Sequence, residues 1–377
     1  MTINSVPALD LLRQYRELLP QVARAMSQVV ESGAFILGPD VAAFEKEVAE
    51  WMGAQFAIGV SNGTDALFVA LRALGIGQGH QVLSSPFTFF ATVSATVNSG
   101  AVPVFADIDP GTFNLDPNRV EEVLKKDNQK RIKAIIPVHL YGQACDMEAF
   151  QYLSKKHDVV LIEDACQAIG AQIKNKKTGN WSQFGCFSLY PTKNLGAVGD
   201  AGIITTNDSE LAERVLAIRN HGSKTRYVHE LIGSNFRIDT VQAAALRVFL
   251  PHLDSWIRER QKIARFYDEH LGVLEQIEIP KKAPYSTHTY HQYTIRVLNG
   301  KREALKNHLN EKKVGHMVYY PIPCHLQNAL SSLHYKKGDF PNAERASEEV
   351  LSLPIFPSIS NEEMDYVVDV IKAFYLS

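Results

Sequence analysis

Between Val41 and Thr206, apolar runs of strand length alternate with amphipathic stretches of helix length, and this alternation narrows the possible folds more than any other feature. Strands each followed by a helix return in the same direction, so they build a mostly parallel sheet with helices packed on it. The strands are predicted at Phe56–Val60, Gln81–Ser84, Val102–Ala106, Ala134–Val138, Val159–Ile162, Gly185–Leu189 and Ala201–Thr205. Helices are predicted at Asp65–Leu74, Phe90–Ser99, Pro117–Lys125 and Met147–His157. The expected class is α/β, with a seven-stranded, mostly parallel sheet in a large domain.

A chain of 377 residues is too long for one small core, so a second domain is expected. Apolar residues at helical spacing run from Ile238 to Asp268, with a break or bend near Pro251. Beyond it a strand over Tyr290–Leu298, a helix over Lys301–Lys312, a strand over Gly315–Tyr320 and a closing helix over Asn361–Tyr375 describe a smaller α+β unit. The boundary is placed at 250/251, giving domains 1–250 and 251–377.

Composition excludes several function classes. Against 39 basic residues stand 41 acidic ones, a formal net charge of −2, which gives no electrostatic reason to expect nucleic acid or an acidic membrane surface. Met1 to Asp10 lacks the basic start and apolar core of a signal peptide, and no apolar run is long enough to cross a bilayer. A cytoplasmic protein is expected. Cys145, Cys166, Cys186 and Cys324 form no C-x-x-C pair and no H-E-x-x-H pattern occurs, so neither a disulfide framework nor a metal site is expected. Asp107 and Asp109, next to Pro110, read as a turn after a strand.

The chemistry lies in two segments. Lys193 sits in a loop between two apolar strands, in Phe187-Ser188-Leu189-Tyr190-Pro191-Thr192-Lys193-Asn194-Leu195-Gly196, and Asp164 ends the apolar run Val159–Ile162. A lysine that forms a Schiff base and a carboxylate that keeps a pyridine nitrogen protonated are the two groups a pyridoxal phosphate enzyme requires. The competing readings are a solvated surface lysine and a helix cap at Glu163-Asp164. Ser61-Asn62-Gly63-Thr64-Asp65 follows a strand and opens a helix, whose free N–H groups and positive dipole suit a phosphate. Gly63 admits a close approach, Thr64 adds a hydroxyl, and Asp65 is expected to turn away from the anion. Phe87 and Phe89, directly after a strand, are candidates for stacking on a cofactor ring, with core packing as the competing reading.

With these residues assembled, the chain resembles the sugar aminotransferases of the DegT/DnrJ/EryC1/StrS family, pyridoxal phosphate enzymes of fold type I. The carriers are Ser61 to Leu67, Thr88 to Thr92, Glu163 to Ala168, Phe187 to Gly196 and Gly233-Ser234-Asn235-Phe236-Arg237. The resemblance implies Lys193 as the Schiff-base lysine, Asp164 as partner of the pyridine nitrogen, Gln167 as a ligand of the ring hydroxyl and Phe89 as the stacking aromatic. It implies phosphate held by Gly63, Thr64 and Ser188 together with Asn235 from a neighbouring subunit, hence a homodimer with shared active sites. The cofactor is then pyridoxal 5'-phosphate, passing through pyridoxamine 5'-phosphate, and the amino donor glutamate.

Pro137 to Gln143 and Tyr320 to Gln327 resemble the branch that aminates C3 of nucleotide-linked keto sugars, with 4-keto amination as the alternative; Tyr320 and His325 are the candidates for touching the sugar. A nicotinamide-dependent oxidoreductase would need a G-x-G-x-x-G turn, which Val60 to Asp65 does not supply. A regulatory protein that kept the fold is the non-enzymatic rival.

Overall fold

The computed structural model describes residue 3, residues 5–225 and residues 227–376. Seven strands form the large sheet: β1 (Phe56–Val60), β2 (Gln81–Ser84), β3 (Val102–Phe105), β4 (Ile132–Ile136), β5 (Val160–Asp164), β6 (Phe184–Ser188) and β7 (Gly202–Thr206). Their order is β1-β7-β6-β5-β4-β2-β3. The pairs β2–β3, β2–β4, β4–β5 and β5–β6 are parallel, whereas β7 is antiparallel to both β6 and β1. The two reversals cancel, so β1 runs with the parallel strands. The carboxyl ends of β1, β2, β4, β5 and β6 therefore share one edge of the sheet, the edge at which open α/β sheets gather ligands.

The central strands carry continuous apolar runs because helices cover both sheet faces. On one side Val69, Ala70 and Leu71 of the helix Gly63–Ala73 pack with Ile136, Ile162 and Cys186. On the other, Phe44 and Val48 of the helix Pro39–Met52 pack with Leu189, Ile203 and Leu246.

A second, antiparallel sheet joins Ile277–Glu278, Tyr293–Val297 and Val350–Leu353. Its core includes Tyr267, Tyr293, Ile295, Leu309, Val367 and Ile371, and the N-terminal Val6 belongs to it. The helices Thr240–Phe249 and Leu253–Leu271 connect the two sheets, separated by a 3-10 turn at Leu250–His252. Pro251 lies in that turn, where its missing N–H and its ring interrupt the α-helical bonding.

One sequence expectation is corrected. Gly315–Tyr320 is not a strand: only Met317 bridges to Ser352, and the chain beside it is occupied by the N-terminus. Gly315 N donates to Val6 O and Val6 N to Lys313 O, and a Cβ at Gly315 would lie 2.2 Å from Ala8 N. The backbone groups that a strand would offer are taken by residues more than 300 positions away, which alternation of side chains cannot reveal. Among the described residues, no helix is long and apolar enough to cross a membrane.

Candidate functional site

Asp164 is the last residue of β5, and its backbone is pinned by two bonds: its N–H donates to Pro137 O and its carbonyl accepts from His139 N, both at 3.0 Å. Its side chain is 4% exposed. Oδ2 accepts from Thr92 Oγ1 at 2.7 Å and Oδ1 from Cys166 N at 3.2 Å, and no cation forms a salt bridge with it among the described residues. A buried carboxylate costs several kcal/mol of desolvation when nothing of opposite charge faces it.

Glu163 precedes it in the strand, and successive strand residues point to opposite faces. Its carboxylate is fully buried on the far side, where it accepts from Gly179 N at 2.8 Å, Trp181 N at 2.7 Å and Ser182 Oγ at 3.0 Å. His139 completes the set. Cys145 N donates to His139 Nδ1 at 3.1 Å, so the ring proton sits on Nε2, which donates to Glu163 Oε2 at 3.0 Å. Glu163 is thus structural, while Asp164 alone faces the ligand edge.

Lys193 follows β6 by five residues and is half-buried. Its ammonium has no hydrogen-bond or salt-bridge partner among the described residues. Burial lowers its proton affinity, and the nearby Cys166 and Asp164 act in the opposite direction. The amine and the carboxylate therefore share one neighbourhood without being paired.

The anion cradle is built by register. Gly202 of β7 pairs with both Ser188 of β6 and Val60 of β1, bringing the turn after Val60 over the end of β6. A Cβ on Gly202 would lie 2.5 Å from the Asn62 carbonyl, and a Cβ on Gly63 would lie 2.7 Å from Ser188 Cβ. Only hydrogen fits at both contacts. Asn62 caps the helix by accepting from Asp65 N at 2.8 Å, and its amide donates back to Asp65 Oδ2 at 2.8 Å. With Ser61 Oγ also donating to that oxygen, the Asp65 carboxylate is turned back into the cap. Gly63 and Thr64, the first two helical residues, keep N–H groups with no acceptor inside the helix.

Phe89 is 59% exposed at the same edge, its ring centroid 6.1 Å from that of Tyr320. Gln167 is buried: its Oε1 accepts from Tyr141 N and its Nε2 donates to the Tyr320 hydroxyl, both at 2.8 Å. Burial raises the Tyr320 phenol well above its ordinary range.

Two candidates stand apart. His325 is buried and bonded through Nε2 to Glu344 Oε1 at 3.1 Å, and Glu344 is further held by Gly338 N and Phe340 N. Asn235 is exposed, and its Oδ1 accepts from the hydroxyl of the neighbouring Ser234 at 3.1 Å.

Thr92 and Tyr141 were not singled out from the sequence. A signal for Thr92 existed, because it closes the Thr88–Thr92 run that carries the resemblance; in the structure its hydroxyl meets that of Thr88 at 2.9 Å.

The residues fit pyridoxal phosphate. A buried carboxylate that forms no salt bridge among the described residues suits a protonated pyridine, an unpaired amine of reduced basicity suits a carbonyl carbon, and free N–H donors beside Ser188 suit a phosphate.

Comparison with known proteins gives the family. The model of the DegT/DnrJ/EryC1/StrS aminotransferase family matches residues 18–372. A pleiotropic regulatory protein of Geobacillus stearothermophilus is 48% identical over 98% of this chain and 99% of its own. The UDP-N-acetyl-3-dehydro-alpha-D-glucosamine 3-aminotransferase of Acidithiobacillus ferrooxidans is 40% identical over 99% of each chain. The crystal structure of S. venezuelae DesV in complex with a ketimine intermediate matches with a TM-score of 0.95 and 39% identity, covering 99% of both chains. The chain belongs to the DegT/DnrJ/EryC1/StrS aminotransferase family, enzymes of pyridoxal phosphate fold type I.

Proposed function

We propose that this protein transfers an amino group from glutamate to a nucleotide-linked keto sugar, at C3, using pyridoxal 5'-phosphate held at the edge where β1, β5 and β6 end. The observation that carries this reading is the juxtaposition of an amine, Lys193, with a buried carboxylate, Asp164, close enough to feel each other's charge yet joined by no salt bridge among the described residues.

When bound, the coenzyme supplies a reactive carbonyl and an electron sink. Lys193 would hold that carbonyl carbon covalently, then, once displaced by an amino substrate, act as the base that moves a proton at the substrate carbon. Its lowered proton affinity serves both tasks, since the neutral amine is the nucleophile and the base. Asp164 would keep the pyridine nitrogen protonated, with Thr92 and Cys166 N fixing the carboxylate's rotation. Gly63, Thr64 and Ser188 would hold the phosphate, Phe89 would cover the ring, and Gln167 would meet its hydroxyl.

Family resemblance assigns Asn235 to the phosphate of a second copy, and among the described residues its side chain meets Ser234 rather than Ser188 or Gly63. The expected homodimer makes Asn235→Ala a test of that assignment. Its coenzyme dissociation constant should rise about tenfold, the loss of one hydrogen bond to a charged oxygen. An unchanged constant, measured by equilibrium dialysis, rejects a shared site.

The C3 assignment is supported by the Pro137 to Gln143 and Tyr320 to Gln327 segments and by the name of the Acidithiobacillus relative. His325 is left out of the proposed sugar contacts, since its ring is committed to Glu344. Nucleotide-linked 3-keto and 4-keto hexoses, offered with glutamate and followed by mass spectrometry, test this directly. The 3-keto series should be preferred by at least about tenfold in kcat/KM; a preference for the 4-keto series overturns the regiochemistry. A regulatory role is the second reading, favoured by the name of the Geobacillus relative. It would be favoured over catalysis if the coenzyme-loaded protein showed no spectral change with glutamate.

A further inference from the structure

Gln167 and Tyr320 have hydrogen-bonding capacity beside Asp164 that the fold leaves partly unused. Tyr141 N–H meets the Gln167 side chain at 2.8 Å, and a backbone N–H can only donate, so the atom facing it is the amide oxygen. That fixes the other end as nitrogen, which gives one of its two protons to the Tyr320 oxygen at 2.8 Å. One amide proton remains, and the proton of the Tyr320 hydroxyl meets no acceptor among the described residues.

The phenol is also held in place. The Phe87 ring meets it edge-on at 6.2 Å and Phe89 lies at 6.1 Å. The chain that follows is tied down where Cys324 N donates to Pro86 O at 2.7 Å.

Resting on the reading of Gln167 as the neighbour of the coenzyme's ring hydroxyl, we infer that Tyr320 is a second donor to that same oxygen. The Gln167–Tyr320 bond keeps the two donors at a fixed spacing. In this assignment the Tyr320 hydroxyl faces the coenzyme. With the coenzyme bound, two donors on its ring oxygen would favour the deprotonated form of that oxygen. The proton is then lost at lower pH.

The test is a pH titration of the visible absorbance of the coenzyme-loaded protein, wild type against Tyr320→Phe, which keeps the ring and removes only the hydroxyl. The midpoint should rise by about one pH unit, the scale of one hydrogen bond to a charged group. A merely structural tyrosine would lower the thermal midpoint and leave the titration unmoved, and an unmoved titration overturns the inference. Should wild type bind no coenzyme and give no visible band, the coenzyme reading itself fails, and this inference with it.

Discussion

Replacing Lys193 with alanine is expected to abolish transamination, by about 10⁴-fold or more, while the fold survives. The loss is large because one side chain serves as both nucleophile and base, and neither task has a second candidate beside Asp164. The fold should tolerate the change because the ammonium forms no hydrogen bond or salt bridge among the described residues. Removing an unpaired, partly desolvated ammonium takes away a burial cost rather than a bond, so the apoprotein should melt close to wild type. Steady-state assays with glutamate, paired with thermal melts and circular dichroism of the apoprotein, separate the two effects. Turnover near the wild-type rate would remove Lys193 from the mechanism.

The second large effect is expected at Asp164. Asparagine keeps the shape, and with its one amide oxygen facing Cys166 N its NH2 meets Thr92 Oγ1, a hydroxyl that can accept there while it donates to Thr88 Oγ1. What it removes is the negative charge, and with it the means of keeping the pyridine nitrogen protonated. A loss of about 10²- to 10³-fold in kcat is expected, the scale on which a preorganised electrostatic group acts. The coenzyme should also leave more readily on dialysis. The apoprotein, by contrast, should melt no lower than wild type, because a buried carboxylate that forms no salt bridge among the described residues has been neutralised. An unaffected kcat, or a collapse of apoprotein stability, would show that Asp164 serves the fold rather than the coenzyme.

Much of this site was legible because the chain places it at strand ends. Buried parallel strands read as apolar runs, so β1 to β7 were found to within about two residues at each end, and Asp164 and Lys193 followed from where β5 and β6 stop. What separates Asp164 from Glu163 is the two-residue period of the strand, which a cap reading of the pair ignores.

Other features depended on partners far away in sequence. Nothing local to His325 announces Glu344 nineteen positions on, and nothing in Gly315–Tyr320 announces Val6. The helices Leu19–Ser32 and Pro39–Met52 were not placed from the sequence, although each begins with proline in its first turn and ends at a left-handed glycine, Gly33 or Gly53. Gln167 was read as a ring ligand, but that its amide is oriented by the backbone of Tyr141 and tied to Tyr320 emerges only when three distant segments meet.

The most direct test of the central claim is to reduce the coenzyme-loaded protein with borohydride, digest it, and locate the modified residue by mass spectrometry. A phosphopyridoxyl group on Lys193, one per chain and on no other lysine, is the expected result. Its attachment to a different lysine, or no attachment under conditions where the coenzyme is bound, would contradict the assignment of the amine that faces Asp164.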